Sequence, residues 1–165
     1  MEIKPAYKEN LLAVVYLIRE CVKDMNTKNL FHWNNYYPGY QTLLADTEAE
    51  NLYIGIERGI VIATMALDEN QPDEYAREGF ADSGKTLYLH RLAVLPSVQG
   101  KGHASEMIAF AENYAIKNGF NSIMLDVFEG NAPVLDMYTS KGYTKKGSFL
   151  FPFQKATFSC LSKEL

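Results

Sequence analysis

Cysteine is scarce: Cys21 and Cys160 are the only two in 165 residues. Neither belongs to a Cys-x-x-Cys or His-rich spacing, and both sit among apolar residues (Leu17-Ile18 for one, Phe158 and Leu161 for the other). That gives no disulfide framework and no metal site, and leaves two buried free thiols. An excess of positive charge is also missing. With 16 Lys and Arg against 20 Asp and Glu, the formal net charge is −4, so the chain lacks the basic field that draws proteins to nucleic acid or a membrane surface. No apolar run approaches the ~18 residues of a membrane-spanning helix. The opening Met1-Glu-Ile-Lys-Pro5 has no apolar leader core, so a cytoplasmic protein is expected. Internal repeats, low-complexity tracts and linker-like stretches are lacking as well.

What is present suffices for a core. A chain that is 47% hydrophobic and 22% charged at this length fits one globular domain over residues 1 to 165. After a short first strand, Tyr7 to Val22 carries apolar residues at Leu11, Leu12, Val15, Ile18 and Val22, a helical stripe. Residues 25 to 37 are rich in aromatics and amides without a period and read as a structured loop. Pro38 suits the first turn of a second helix reaching about Ala49, because its missing N–H is not needed there. Leu52 to Ile56 and Ile60 to Leu67, joined at Glu57-Arg-Gly59, read as a β-hairpin. Asp68 to Lys85 is acidic and loop-like, with one helical turn around Glu74 to Glu78. Strands are expected at Leu87 to Val94 and Ser122 to Phe128, helices at Ala104 to Ile116 and Pro133 to Lys141. Tyr143 to Phe151 and Lys155 to Leu161 form a closing strand pair. The order predicts an α/β (α+β) architecture, a mixed sheet with helices on both faces.

The stretch Val94-Leu-Pro-Ser-Val-Gln-Gly-Lys-Gly-His-Ala104 joins an apolar strand to the helix whose stripe is Met107, Ile108, Ala111, Ala115 and Ile116. Gly100 and Gly102 allow a left-handed backbone and close approach to a ligand. The first helical turn presents unpartnered N–H groups and the positive end of the dipole, so a glycine loop here is an anion cradle. A plain tight turn would use the same glycines. Gly100-Lys-Gly-His-Ala-Ser105 fails the nucleotide P-loop and the dinucleotide fingerprint.

Gln99, Gly102 and Ala104 resemble the Gln/Arg-x-x-Gly-x-Gly/Ala signature of the GNAT superfamily of acyl-CoA-dependent N-acetyltransferases. Leu89-His-Arg-Leu-Ala-Val94 looks like that family's central strand. Asn131-Ala-Pro-Val-Leu-Asp-Met-Tyr138-Thr-Ser-Lys-Gly-Tyr143 is similar to its second motif in the Asn, the Tyr and the terminal Gly-aromatic pair. One departure is His103, where the family usually has an apolar residue; there it either meets a phosphate oxygen or points to solvent. The resemblance implies a mostly antiparallel central sheet of about 6–7 strands, splayed at its central strands. It implies acetyl-CoA as donor, no metal, and transfer to a primary amine of a small molecule or peptide through a ternary complex. A non-catalytic acyl-CoA-binding or regulatory module is the alternative. A homodimer is compatible with the sequence; nucleic acid and membrane are not expected partners.

Roles follow from the chemistry that such a transfer needs. By resemblance, the backbone of Leu92, Ala93 and Val94 pairs with the pantetheine arm, and the Val94 N–H faces the thioester carbonyl in the oxyanion role. Gln99, Gly100, Lys101, Gly102, His103, Ala104 and Ser105 form the pyrophosphate loop. Tyr138 is the expected general acid, since a phenol of pKa near 10 stays protonated at neutral pH; the plain alternative is a core tyrosine. Asn131 reads both as a helix N-cap and, by resemblance, as a cofactor contact. His90, on the strand face of Tyr88, Leu92 and Val94 by alternation, suits a proton relay from the amine or a structural hydrogen bond across the sheet. Glu57 and Asp126 are alternative bases. Arg91, on the opposite face, reads as a salt-bridge partner. Phe31, Trp33, Tyr36, Tyr37 and Tyr88 are the candidate acceptor-binding aromatics; for the 31–37 group an apolar plug over the sheet is the competing reading. Neither cysteine has an activating neighbour, so a covalent thioester on the protein is not expected.

Overall fold

A computed structural model describes residues 1–81, 84–151 and 156–165. The short strand β1 (Glu2–Pro5) leads through a 3-10 turn at Lys8–Asn10 into helix α1 (Leu11–Thr27). Leu11, Val14, Leu17, Ile18, Cys21 and Val22 are buried on one stripe of α1, while Leu12 and Tyr16 stay exposed. The helix therefore starts later and runs longer than the Tyr7 to Val22 pattern suggests. Helix α2 (Tyr40–Glu48) has Gly39 at its N-cap. Pro38 is not in its first turn, as the sequence led one to expect, but precedes it, buried and joined to Tyr37 by a cis peptide bond. Strands β2 (Leu52–Glu57) and β3 (Ile60–Asp68) form the expected hairpin. Arg58 (φ 51°) and Gly59 (φ 77°) give its two-residue turn the left-handed backbone that matches strand twist.

Helix α3 (Asp73–Arg77), strand β4 (Thr86–Val94), helix α4 (His103–Lys117), strand β5 (Ser122–Phe128), helix α5 (Ala132–Ser140), and strands β6 (Thr144–Leu150) and β7 (Thr157–Glu164) complete the order. The expected start of the last strand at Lys155 lies outside the described residues. Helix α5 shows why the second motif spaces its residues as it does. Gly142 (φ 88°) takes the left-handed position after the helix, its N–H donates to the Thr139 carbonyl, and the Tyr143 N–H donates to the Tyr138 carbonyl. This double closure ends a helix and brings the first and last side chains together: the Tyr138 and Tyr143 rings meet edge to face at 5.3 Å.

The strands form a seven-stranded sheet, order β1-β2-β3-β4-β5-β7-β6. β1·β2, β2·β3, β5·β7 and β6·β7 are antiparallel; β4·β5 is parallel. That parallel pairing covers Thr86–Tyr88 against Ser122–Met124.

The chain divides into two compact units. The first comprises Met1–Leu67 and His90–Ala111. Here α1 and α2 cover one face of the strands, with Val14, Leu17, Ile18 and Leu43 packed against Leu52, Ile54, Ala66 and Ala93. Each buried Val, Leu or Ile among them contributes roughly 1.5–3 kcal/mol. Phe110 of α4 meets Tyr53 of β2 at 5.3 Å, on the other face of that strand from Leu52 and Ile54. The second unit comprises Asp68–Leu89 and Glu112–Leu165. Its core is aromatic: Tyr75, Tyr88, Phe149 and Phe158 surround Met124 and Cys160.

Candidate active site

In the first unit, the end of β4 is held by unusual backbone and side-chain contacts. Arg91 lies in mid-strand with φ 53°, a left-handed conformation that costs a non-glycine residue about 1–2 kcal/mol. Its guanidinium grips Asp46 of α2 with two hydrogen bonds, Nε to Oδ2 at 2.9 Å and a terminal nitrogen to Oδ1 at 2.7 Å. Both side chains are 12% exposed. Burial works against the charge of Arg91, but Asp46 and then Tyr37 outweigh it and hold the guanidinium ionised. This is the salt-bridge role read for Arg91, with a partner on α2. Three residues on, the Val94 carbonyl accepts from Gln99 Nε2 at 2.9 Å and from Cys21 Sγ at 3.3 Å. The Leu95 N–H donates to Ile62 of β3 at 2.8 Å. His90 and Leu92 are half-buried; Ala93 and Val94 are buried.

The loop after Val94 turns at Gly100 (φ 75°) and Gly102 (φ 91°). A Cβ at either position would meet open space, so backbone conformation, not crowding, demands glycine. Lys101 is exposed; Ala104 and Ser105 are half-buried in the first turn of α4. His103, the first residue of α4, is 7% exposed, and neither of its nitrogens has a hydrogen-bond partner. Its Nδ1 lies 3.4 Å from Glu106 Oε1, a charge contact without hydrogen-bond geometry, and Glu106 Oε2 meets the Met1 ammonium at 3.3 Å. A buried imidazole with two orphaned nitrogens is costly in apolar surroundings. At a helix N-terminus it fits a site completed by an acceptor-rich anion.

In the second unit, Tyr138 of α5 is 4% exposed, and burial pushes its phenol up, with the charge of Asp126 adding to the shift. The proton is therefore firmly held at neutral pH. Asn131 stands at the N-cap of α5, but its side chain makes no capping hydrogen bond; its carbonyl accepts from Val134 and Leu135. The N-cap reading is right in position and wrong in mechanism. Tyr88 packs on Tyr75 with ring centroids 6.0 Å apart, and the Tyr75 hydroxyl donates to Asp126 Oδ1 at 2.7 Å. Tyr75 lies in α3, the helical turn expected around Glu74 to Glu78, and was not among the expected site residues. A signal was available in β5, where Asp126 is the sole charged residue of Ser122-Ile-Met-Leu-Asp-Val-Phe128.

The aromatic segment of the first unit is not gathered into one wall. Trp33 packs on the core of α1 and α2, whereas Phe31 and Tyr36 are 63% and 89% exposed. Tyr37 reaches the electrostatic neighbourhood of Arg91. Burial lowers the His32 imidazole to about 4, so it is neutral at physiological pH. Both cysteines are free and buried, and burial, helped by Asp24 and Glu20, pushes the Cys21 thiol up to about 12. Among the described residues no cluster of His, Cys, Asp or Glu is placed to hold a metal ion, and no helix is long and apolar enough to cross a membrane.

This strand, glycine loop and helix N-terminus form an anion-binding arrangement, and comparison with known proteins gives the family. The chain belongs to the acetyltransferase (GNAT) family, whose model matches residues 17–143. No curated protein matches it. Its fold is similar to a GNAT-family acetyltransferase from Listeria monocytogenes, at 22% identity over 99% of this chain and 94% of that one, with TM-score 0.79. A GNAT-family acetyltransferase from Streptococcus agalactiae is 18% identical over 99% and 95% of the two chains, with TM-score 0.82. A putative acetyltransferase from Salmonella typhimurium, solved with its cofactor acetyl-CoA, is 18% identical over 100% and 94%, with TM-score 0.73.

Proposed function

We propose that this protein transfers an acetyl group from acetyl-CoA directly to a primary amine of a small molecule or peptide. The observation that carries the reading is the loop from Val94 to α4. Two left-handed glycines lead into a helix whose first residue, His103, is buried with two unpartnered nitrogens. That is a cradle suited to pyrophosphate, on a chain of the acetyltransferase family.

In this reading Gln99, Gly100, Lys101, Gly102, His103, Ala104 and Ser105 bind the pyrophosphate, with N–H groups of the first turn of α4 directed at its oxygens. The backbone of Leu92, Ala93 and Val94 holds the pantetheine arm as an added strand would. The contacts of Gln99 and Cys21 to the Val94 carbonyl fix the peptide plane whose neighbour, the Val94 N–H, acts as oxyanion donor. The acceptor nitrogen bonds to the thioester carbonyl carbon as the carbon–sulfur bond breaks. His90 removes the ammonium proton that makes the amine non-nucleophilic, and Tyr138 protonates the departing thiolate. Tyr138 then recovers a proton from the nitrogen, which becomes a neutral amide. The Cys21 thiol, held protonated, does not carry the acetyl group. Phe31, Trp33, Tyr36, Tyr37 and Tyr88 are candidates for the acceptor side and Asn131 for a further donor contact.

Tyr138→Phe tests the acid. It keeps the ring packing against Tyr143 and removes the proton, so kcat should fall by about 10²–10⁴ with acetyl-CoA affinity unchanged. A fall below about threefold removes Tyr138 from the mechanism.

A further inference from the structure

Asp126 is a half-buried carboxylate in a strand whose neighbours Leu125 and Val127 are buried. A charge in such a place is retained only with polar partners. One of them, Tyr75, is itself fully buried, with its ring against Phe149 at 5.5 Å and Tyr88 at 6.0 Å. The rings fix the phenol, and the phenol fixes Asp126 Oδ1 at 2.7 Å. Tyr88 pairs in register with Met124, two residues before Asp126, so period-two alternation places Tyr88, Met124 and Asp126 on one face. The Asp126 charge also acts on the Tyr138 phenol, the proposed proton donor of the same compact unit.

We infer that Asp126 recognises the acceptor as a cation, so that the substrates are alkylamines captured in their ammonium form, and that Tyr75 is the positioning residue that aims its carboxylate. The inference rests on the acetyl-transfer reading above. Recognition, and not deprotonation, is the role assigned, because His90 already takes the ammonium proton in the reading above and Tyr75 holds one oxygen of Asp126. The neighbouring anion instead stabilises the ammonium and strengthens its binding. A half-buried carboxylate is well suited to this: water reaches it, and a charge-assisted hydrogen bond there is stronger than on an open surface.

The test compares benzylamine, an ammonium at neutral pH, with its isomer 4-methylaniline, which is neutral, using the full-length protein and CoA release as the readout. Other alkylamine and arylamine pairs widen the panel. Asp126→Asn keeps the shape and the acceptor for the Tyr75 hydroxyl. It should raise KM for the alkylamine by roughly tenfold to a hundredfold and leave KM for acetyl-CoA unchanged. Any effect of the lost charge on Tyr138 is common to both amines, so the ratio of alkylamine to arylamine kcat/KM should fall by about tenfold or more. Tyr75→Phe should lower that ratio in the same direction but less. Equal losses on both amines, no loss on either, or a wild-type protein that acetylates arylamines and ignores alkylamines overturns the inference while leaving acetyl transfer standing. A wild-type protein that binds acetyl-CoA yet releases CoA with no amine overturns both.

Discussion

Replacing Arg91 with alanine should destabilise the protein by about 3 kcal/mol, the low end for a buried ion pair, because it strips a half-buried carboxylate of its charged partner. Asp46, whose side chain is 12% exposed beside Arg91, would lose hydrogen bonds of 2.9 and 2.7 Å. The alanine would also inherit φ 53°, a conformation unfavourable by about 1–2 kcal/mol for any side chain with a Cβ. Arg91→Gly separates the two effects: it removes the same ion pair but fits the left-handed backbone, so it should be about 1 kcal/mol less damaging than Arg91→Ala. Adding Asp46→Ala to Arg91→Ala removes the stranded charge and should restore part of the loss, a coupling measurable by a double-mutant cycle. Urea unfolding followed by the fluorescence of the single tryptophan, Trp33, which packs on the α1 and α2 core, reads all five proteins: wild type, Arg91→Ala, Arg91→Gly, Asp46→Ala and the double variant. A loss below about 1 kcal/mol for Arg91→Ala, or a glycine variant no better than the alanine one, refutes the reasoning. In the former case the pair behaves as a surface ion pair; in the latter the strand kink carries no strain.

The glycine loop makes its own prediction: Gly102→Ala forces a Cβ onto a backbone at φ 91°. Acetyl-CoA affinity measured by calorimetry should fall by tenfold or so, an unchanged affinity being the contrary result. His103, buried with both nitrogens unpartnered at the start of α4, should contribute a hydrogen bond to the pyrophosphate. His103→Ile should therefore weaken acetyl-CoA affinity by roughly threefold to tenfold; an unchanged affinity removes the phosphate contact. Glu129 accepts from Lys145, Ser148 and Ser159 at 2.8, 2.6 and 2.8 Å, which holds its carboxyl down at about 2. A lowered folded-state pKa contributes stability above the unfolded value that disappears as pH falls from about 4.5 to about 2. The Tm difference between wild type and Glu129→Gln should shrink over that window, modestly, because water still screens this half-buried group; a difference independent of pH contradicts the assignment.

The architecture was legible where periodicity and backbone chemistry coincide. Ser122 to Phe128 reads as a strand and is one, and Glu57-Arg-Gly59 reads as the hairpin link and is one. Helix starts were harder. Pro38 is compatible with a first helical turn by its φ, but Gly39 takes the N-cap and the helix begins at Tyr40. Asn131 has the right position for a cap without the hydrogen bond, because its carbonyl, not its side chain, meets the helix. The glycines of the donor loop were readable from their chemistry, since φ values of 75° and 91° are what a Gly-x-Gly spacing permits. Long-range pairs were not. Nothing local links Arg91 to Asp46 or Tyr75 to Asp126; each pair exists because folding brings distant elements together, and a single sequence carries no period for that. The one local hint was a lone charge in an apolar strand. Likewise the aromatic run from Phe31 to Tyr37 does not reveal in sequence that Trp33 turns inward while Tyr36 turns out to solvent.

The central claim is that the Val94 to Ala104 segment serves acetyl transfer to an amine. The most direct measurement is release of free CoA thiol from acetyl-CoA across a panel of primary amines, with mass spectrometry of the product. Thiol release should depend on the amine, run in one-to-one ratio with N-acetylated product, and fall by about 10²–10⁴ in Tyr138→Phe. Tight acetyl-CoA binding with no thiol released for any amine would contradict it and define a binding module instead.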